Sequence, residues 1–133
     1  MTQLQFTSVS FSYPGLARPV LEDLSFTAAA GWTGVVGPNG VGKSTLLALA
    51  TGRLHADSGS VVSPRPATFC EQRTDARPPE LTELLSFPDA DAGKLVSVLG
   101  LEADWPYRWE TLSHGERKRA QIAVALWQRP ELL

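Results

Sequence analysis

The sequence predicts an α/β domain, and three stretches carry that prediction. Residues 32–36, Trp-Thr-Gly-Val-Val, form a short apolar and β-branched run of the kind buried in a parallel sheet. A glycine-rich loop follows at once, and beyond it Leu46, Leu47, Leu49 and Ala50 fall at helical spacing. Much later, Ser113 and Glu116 stand in the S-x-x-E spacing that opens a helix, and Pro130 closes it.

The remaining elements follow in order. Residues 3–11 alternate, with Leu4, Phe6, Val9 and Phe11 apolar, and the alternation slips once between Phe6 and Val9. This predicts a half-exposed strand ended by the Pro14-Gly15 turn. Residues 20–26 are a second strand candidate, and residues 31–36 lead into the buried strand. A helix is predicted over 43–54, with Gly52 as its stop. Asp57-Ser58-Gly59 is a turn, and residues 60–62 and 67–70 are short strand candidates separated by prolines. Short helices are predicted over 80–86 and 93–99, with loop between them, and a small helical insert continues through Trp109. The last helix spans 113–128, and its Ala120, Ala123, Val124 and Trp127 should pack against a sheet.

Composition excludes several classes of protein. With 133 residues the chain suggests at most one ordinary domain, and 43% hydrophobic against 20% charged residues marks a folded chain. A net charge of -2 excludes a strongly basic nucleic-acid footprint. No apolar run is long enough to cross a bilayer, and the first residues have no basic region followed by an apolar one. Cys70 is the single cysteine, so no internal disulfide or cysteine metal cluster is available, and a reducing, cytoplasmic setting is expected.

Gly37-Pro38-Asn39-Gly40-Val41-Gly42-Lys43-Ser44 matches G-x-x-x-x-G-K-[ST]. Its glycines allow positive φ and close backbone approach, so successive N–H groups can converge on phosphate oxygens. The helix that follows adds unsatisfied N-terminal donors and the positive end of its dipole. Lys43 is a mobile charge for the outer phosphates, the Ser44 hydroxyl is placed for Mg²⁺, and Thr45 supports the helix start. The reading is a nucleoside triphosphate site.

Leu112-Ser113-His114-Gly115-Glu116 is a second glycine-bearing constellation. It reads as an ordinary helix cap with a basic solvated face, as an anion-facing helix terminus or, third, as a local basic patch touching nucleic acid, for which three cations are few. Arg117, Lys118 and Arg119 crowd the first turn, where the dipole disfavours cations, and a bound anion would offset that cost.

Together the two motifs resemble the ATP-binding cassette (ABC) ATPase domain, and the resemblance runs over essentially the whole chain. It implies the P-loop NTPase fold, here the N-terminal part of an ABC-type nucleotide-binding domain with a small helical subdomain, and ATP with Mg²⁺ as ligands. Gly37 to Ser44 resembles the Walker A loop, and Leu112 to Glu116 the signature motif, commonly L-S-G-G-Q. By similarity Tyr13 stacks on adenine, and Gln72 is the Q-loop glutamine that meets Mg²⁺ and the attacking water. Lys43 and Gln72 are then the catalytic candidates and Ser44 and Gln72 the metal candidates. Ser113, His114, Gly115 and Glu116 would meet a nucleotide held by a second cassette, paired head to tail in the same chain or in a homodimer. The resemblance divides the chain into a β-rich and P-loop core over about 1–72, a helical insert over about 73–112, and the signature helix with the start of the Walker B strand over 113–133.

His114 stands where the family has a glycine, and an imidazole there could crowd the γ-phosphate, hydrogen-bond to it or face solvent. The Walker B aspartate, its neighbouring glutamate, the D-loop and the switch histidine have no counterpart before Leu133. The expectation is therefore of a fragment with little hydrolysis on its own. Leu112 to Arg119 resembles the L-S-G-G-E-x-x-R helix of the ABC-F branch, which implies a soluble two-cassette protein acting on ribosomes. The alternatives are the ATP-binding subunit of a membrane transporter, peripheral at the inner face of the membrane, and a non-catalytic ATP-dependent scaffold.

Overall fold

The computed structural model describes residues 3–133, and these divide into two compact units. The first holds the described residues through Phe69 together with Leu132, and the second holds Cys70 to Glu131 together with Leu133.

In the first unit, β1 (Leu4–Phe11) lies between β2 (Leu21–Ala28) and β3 (Ser58–Val62), antiparallel to both. The slip in the β1 alternation is a bulge: the register with β2 shifts between Phe6 and Val9, and Ser8 takes φ +48°. The bulge returns Phe6, Val9 and Phe11 to one face, where all three are buried. Gly59, at φ +81°, passes so close to this kink that an added Cβ would stand 2.2 Å from the Ser8 carbonyl oxygen. Helix α1 (Lys43–Ala50) buries Leu49 and Ala50 against the same core, and Gly52, at φ +78°, follows its C-terminal end.

Two expectations in this unit are corrected. Residues 32–36 form no strand: residues 31–41 are exposed throughout, and no described segment pairs with them. A β-branched run becomes a buried strand only where ladder partners and covered faces exist. Residues 67–70 shrink to one parallel bridge between Ala67 and Leu132, in which Leu132 N–H donates to Pro66 O (3.3 Å) and Thr68 N–H to Leu132 O (2.8 Å).

The second unit contains α2 (Leu81–Leu85), α3 (Ala90–Leu99), two short 3₁₀ turns over Trp105–Tyr107 and Trp109–Thr111, and α4 (His114–Trp127). Helix α3 starts three residues before its predicted position because Asp89 caps it, its carboxylate accepting from Ala92 N–H at 2.8 Å. The predicted capping box of α4 is present in both directions, Glu116 N–H to Ser113 Oγ (3.1 Å) and Ser113 N–H to Glu116 Oε1 (2.9 Å). The apolar face of α4 packs against helices rather than a sheet. Ala120, Ala123 and Val124 join Leu81, Leu84, Val96, Trp105 and Trp109 in one core, since small alanines let the helices approach closely.

Candidate functional site

The phosphate-loop residues lie in the first unit. Gly40 (φ +84°) and Gly42 (φ +109°) occupy the left-handed region, and Gly42 is the N-cap of α1 with no side-chain cap. A Cβ on Gly42 would also lie 2.9 Å from Val20 Cγ1, so glycine is required there for both conformation and space. The helical ladder begins with Leu46 N–H to Gly42 O (2.9 Å), which leaves the amides of Lys43, Ser44 and Thr45 ahead of it as donors. Lys43 Nζ curls over the loop and donates to the carbonyls of Gly37 and Pro38, the latter at 2.8 Å. Val41 N–H closes a turn on Pro38 O at 3.4 Å, with Asn39 exposed at its crest.

This arrangement fits a polyphosphate. An exposed glycine-rich loop, a helix start without a side-chain cap and the Lys43 ammonium stand together there. Ser44 is exposed on the first turn, and its one hydroxyl oxygen would suit Mg²⁺, a cation that keeps several waters and phosphate oxygens in its shell. No cluster of three or more His, Cys, Asp or Glu side chains stands ready for a metal among the described residues.

The structure also brings Tyr13 to this loop, through a contact that sequence reasoning did not anticipate. Its hydroxyl hydrogen-bonds with Thr45 Oγ1 at 2.9 Å, and Thr45 is buried. The Tyr13 ring stands edge-on to Phe11 with centroids 4.9 Å apart, which leaves the ring partly exposed beside the helix start. Thr45 thus supports the aromatic residue as well as its own helix.

The signature residues and Gln72 lie in the second unit. Ser113, His114 and Gly115 are exposed at the start of α4, and an added Cβ on Gly115 would meet nothing within 4 Å. The Ser113 backbone N–H holds the Glu116 carboxyl below the usual carboxylate range. His114 does more than face solvent: its Nδ1 is 3.2 Å from Oγ1 of the buried Thr74. Gln72 is exposed in the irregular segment two residues before Thr74.

The cation argument at this helix start is corrected too. Arg117 donates to the carbonyls of Trp109 (3.1 Å) and Glu110 (2.9 Å), and Arg119 to the Leu99 carbonyl (2.9 Å) while lying over the Trp105 ring. Lys118 donates to the Glu71 carbonyl and to Gln121 Oε1 (2.6 Å). Carbonyl partners account for all three cations, so they call for no bound anion. Thr74 and Lys118 carried no sequence signal of their own, because a loop threonine and a cation in a basic run are both commonplace.

A glycine-rich loop at the start of a helix, with a capped glycine-bearing helix downstream, is the arrangement of a P-loop NTPase of the ABC ATPase kind, and the comparisons with known proteins support that class. The chain belongs to the ABC transporter family, whose model matches residues 21–133. It is 32% identical to the β-(1→2)glucan export ATP-binding/permease protein NdvA of Bradyrhizobium diazoefficiens, over 98% of this chain and 26% of that protein. It is 34% identical to ABC transporter F family member 3 of Arabidopsis thaliana, over 98% of this chain and 20% of that protein. A shorter match, 41% identical over 44% of this chain and 6% of the other, joins it to elongation factor 3A of Saccharomyces cerevisiae. The fold matches that of a bacterial Atm1-family ABC exporter with ATP bound at a TM-score of 0.68 and 22% identity, covering 97% of this chain and 28% of that one. The chain thus spans about a quarter or less of the length of these relatives. Among the described residues, no helix is long and apolar enough to cross a membrane.

Proposed function

We propose that this chain binds ATP with Mg²⁺ and serves, in the intact protein, a hydrolytic cycle coupled to conformational change. The observation that carries the proposal is the loop itself: left-handed Gly40 and Gly42 at the N-cap of α1, with Lys43 folded over the loop carbonyls. The loop amides and Lys43 would hold the phosphates, Ser44 would take Mg²⁺, and Tyr13, steadied by Thr45, would stack on the base. Mg²⁺ would neutralise charge on the phosphate oxygens during phosphoryl transfer. Lys43 exchanges its two carbonyl partners for phosphate oxygens, which keeps the ammonium hydrogen-bonded in both states. Gln72 remains the candidate for the attacking water, and Ser113, His114, Gly115 and Glu116 for a nucleotide held by a second cassette.

Titration calorimetry with Mg²⁺ and ATP tests the core of this reading. Lys43→Ala and Gly42→Val should each weaken binding at least tenfold, about 1.4 kcal/mol. Unchanged affinity in both variants would reject the phosphate-loop assignment.

For the intact protein we favour a soluble ABC-F type ATPase working on ribosomes. The supporting features are Ser113, Gly115, Glu116 and Arg119 in the L-S-x-G-E-x-x-R pattern and the similarity to an F family member along 98% of this chain. The similarity to an export ATP-binding/permease protein along the same share supports the second reading, a transporter cassette at the inner face of a membrane. Cosedimentation of the full-length protein with ribosomes or with membranes separates the two.

A further inference from the structure

Strand β1 runs out of ladder partners just before Tyr13. On the β2 side its last pair is Phe11 with Leu21, and Val20 N–H donates to Phe11 O at 2.8 Å. On the β3 side its last pair is Ser10 with Ser58, and Asp57 N–H donates to Ser10 O at 2.9 Å. The Ser12 N–H lies beyond both ladders, and the Asp57 carboxylate takes it, Oδ2 accepting at 2.8 Å. One residue on, the Tyr13 hydroxyl hydrogen-bonds with Oγ1 of the buried Thr45 at 2.9 Å, while the ring stands edge-on to Phe11. Leu16 N–H closes a turn on Tyr13 O at 3.2 Å. Tyr13 is thus held at both ends, its backbone through the residue before it and its hydroxyl through the first turn of α1.

We infer that Asp57 is a positioning residue for Tyr13: its carboxylate stands in for a missing ladder carbonyl at Ser12 and so aims the aromatic ring before nucleotide arrives. A residue past the end of a strand has no ladder to hold its backbone, and a side-chain acceptor does that work instead. A ring that must be ordered during binding costs affinity, and one already held avoids that cost. Thr45 follows Lys43 and Ser44 on the same turn, so its bond to Tyr13 also sets the ring's distance from the phosphate loop. Asp57 stands 45 positions from Ser12 in the chain, and its effect falls on the base half of the nucleotide rather than the phosphate half. The inference rests on the proposed reading, in which Tyr13 stacks on the base.

Two ligands separate the halves of the site in calorimetry on the full 133-residue chain: Mg²⁺ with ATP, and Mg²⁺ with inorganic tripolyphosphate, which has no base. Asp57→Ala should weaken ATP binding about threefold or more, the size of one lost hydrogen bond, and leave tripolyphosphate affinity unchanged. Asp57→Asn should restore ATP affinity, because the carboxamide oxygen still accepts from Ser12 N–H. Without nucleotide, hydrogen exchange at the Ser12 amide should be slow in the unsubstituted chain and in Asp57→Asn, and fast in Asp57→Ala. Should Asp57→Ala unfold, Asp57→Ser, whose side chain is one bond shorter than this contact needs, takes its place under the same expectations. Equal losses for both ligands, an unchanged ATP affinity, or no rescue by asparagine overturns the inference. A chain that binds neither ligand rejects the proposed function. The contact between the Tyr13 and Phe11 rings, read from nuclear Overhauser effects, must then be lost in Asp57→Ala and kept in Asp57→Asn, or the inference falls as well. A chain that binds ATP equally in all variants rejects this inference alone.

Discussion

Single residues set the local geometry of both glycine motifs, and each has a physical reason to be what it is. Gly42 combines a left-handed φ with a space closed by Val20, and Lys43 spans the loop carbonyls. Ser113 supplies a hydroxyl to the Glu116 amide, so Ser113→Ala should lower stability by about 1 kcal/mol in urea denaturation. Glu116 and Asp89 are both held below the usual carboxylate range, Glu116 first by the Ser113 backbone N–H and Asp89 first by that of Ala92, with Trp127 adding to it. A depressed folded-state value means stability that is fully present above the unfolded value, about pH 4, and is lost as the pH falls through the folded one. Thermal unfolding followed from pH 6 downward should therefore show a loss that Glu116→Gln reduces, because glutamine keeps the cap but does not titrate in this range. An unaltered acid profile in that variant would show that the capping carboxylate does not contribute. The phosphate loop and the capping box were legible from residue types at fixed spacing. The Tyr13 to Thr45 and His114 to Thr74 bonds were not, because their partners stand 32 and 40 positions apart and nothing local marks them.

At the scale of elements, β1 is bent by its own sequence. The slip between Phe6 and Val9 was visible as broken alternation, and the structure converts it into a bulge that keeps both side chains in the core. That solution depends on β3, whose Gly59 clears the Ser8 carbonyl. Gly59→Ala should destabilise the first unit by more than a surface substitution does, beyond about 0.5 kcal/mol, with the β1–β3 amides losing protection first in hydrogen exchange. In the second unit Leu84 is fully buried between helices, and Leu84→Ala should cost about 2–5 kcal/mol in equilibrium unfolding. Helix ends were easier to read than strands. Caps and glycine stops are local, as at Ser113 and Gly52, whereas a strand exists only if another segment lies beside it.

For the whole molecule, the decisive feature is two cores, one of strands with α1 and one of helices α2 to α4. Helix α4 shares its core with α2 and α3, which its sequence pattern alone did not indicate. The run at 32–36 is the other consequence at this scale. Trp32 and Val36 are almost wholly exposed, so the chain presents apolar surface next to the phosphate loop. Exposed apolar runs promote association. Sedimentation velocity should show concentration-dependent self-association that Trp32→Ser with Val36→Ser diminishes, and acrylamide should quench Trp32 well ahead of the buried Trp105 and Trp109.

By itself the sequence determined the glycine-rich loop with its helix, the capped helix at Ser113, the first strand with its slip in alternation and the family, because each is written in neighbouring residues whose spacing matches one backbone geometry. Only the tertiary structure decided which segments pair as strands, which core receives α4, and which side chains hold Tyr13 and the segment of Gln72. Those outcomes depend on groups brought together from distant positions, and a polar side chain in a loop gives no local sign of the carbonyl or hydroxyl it will meet.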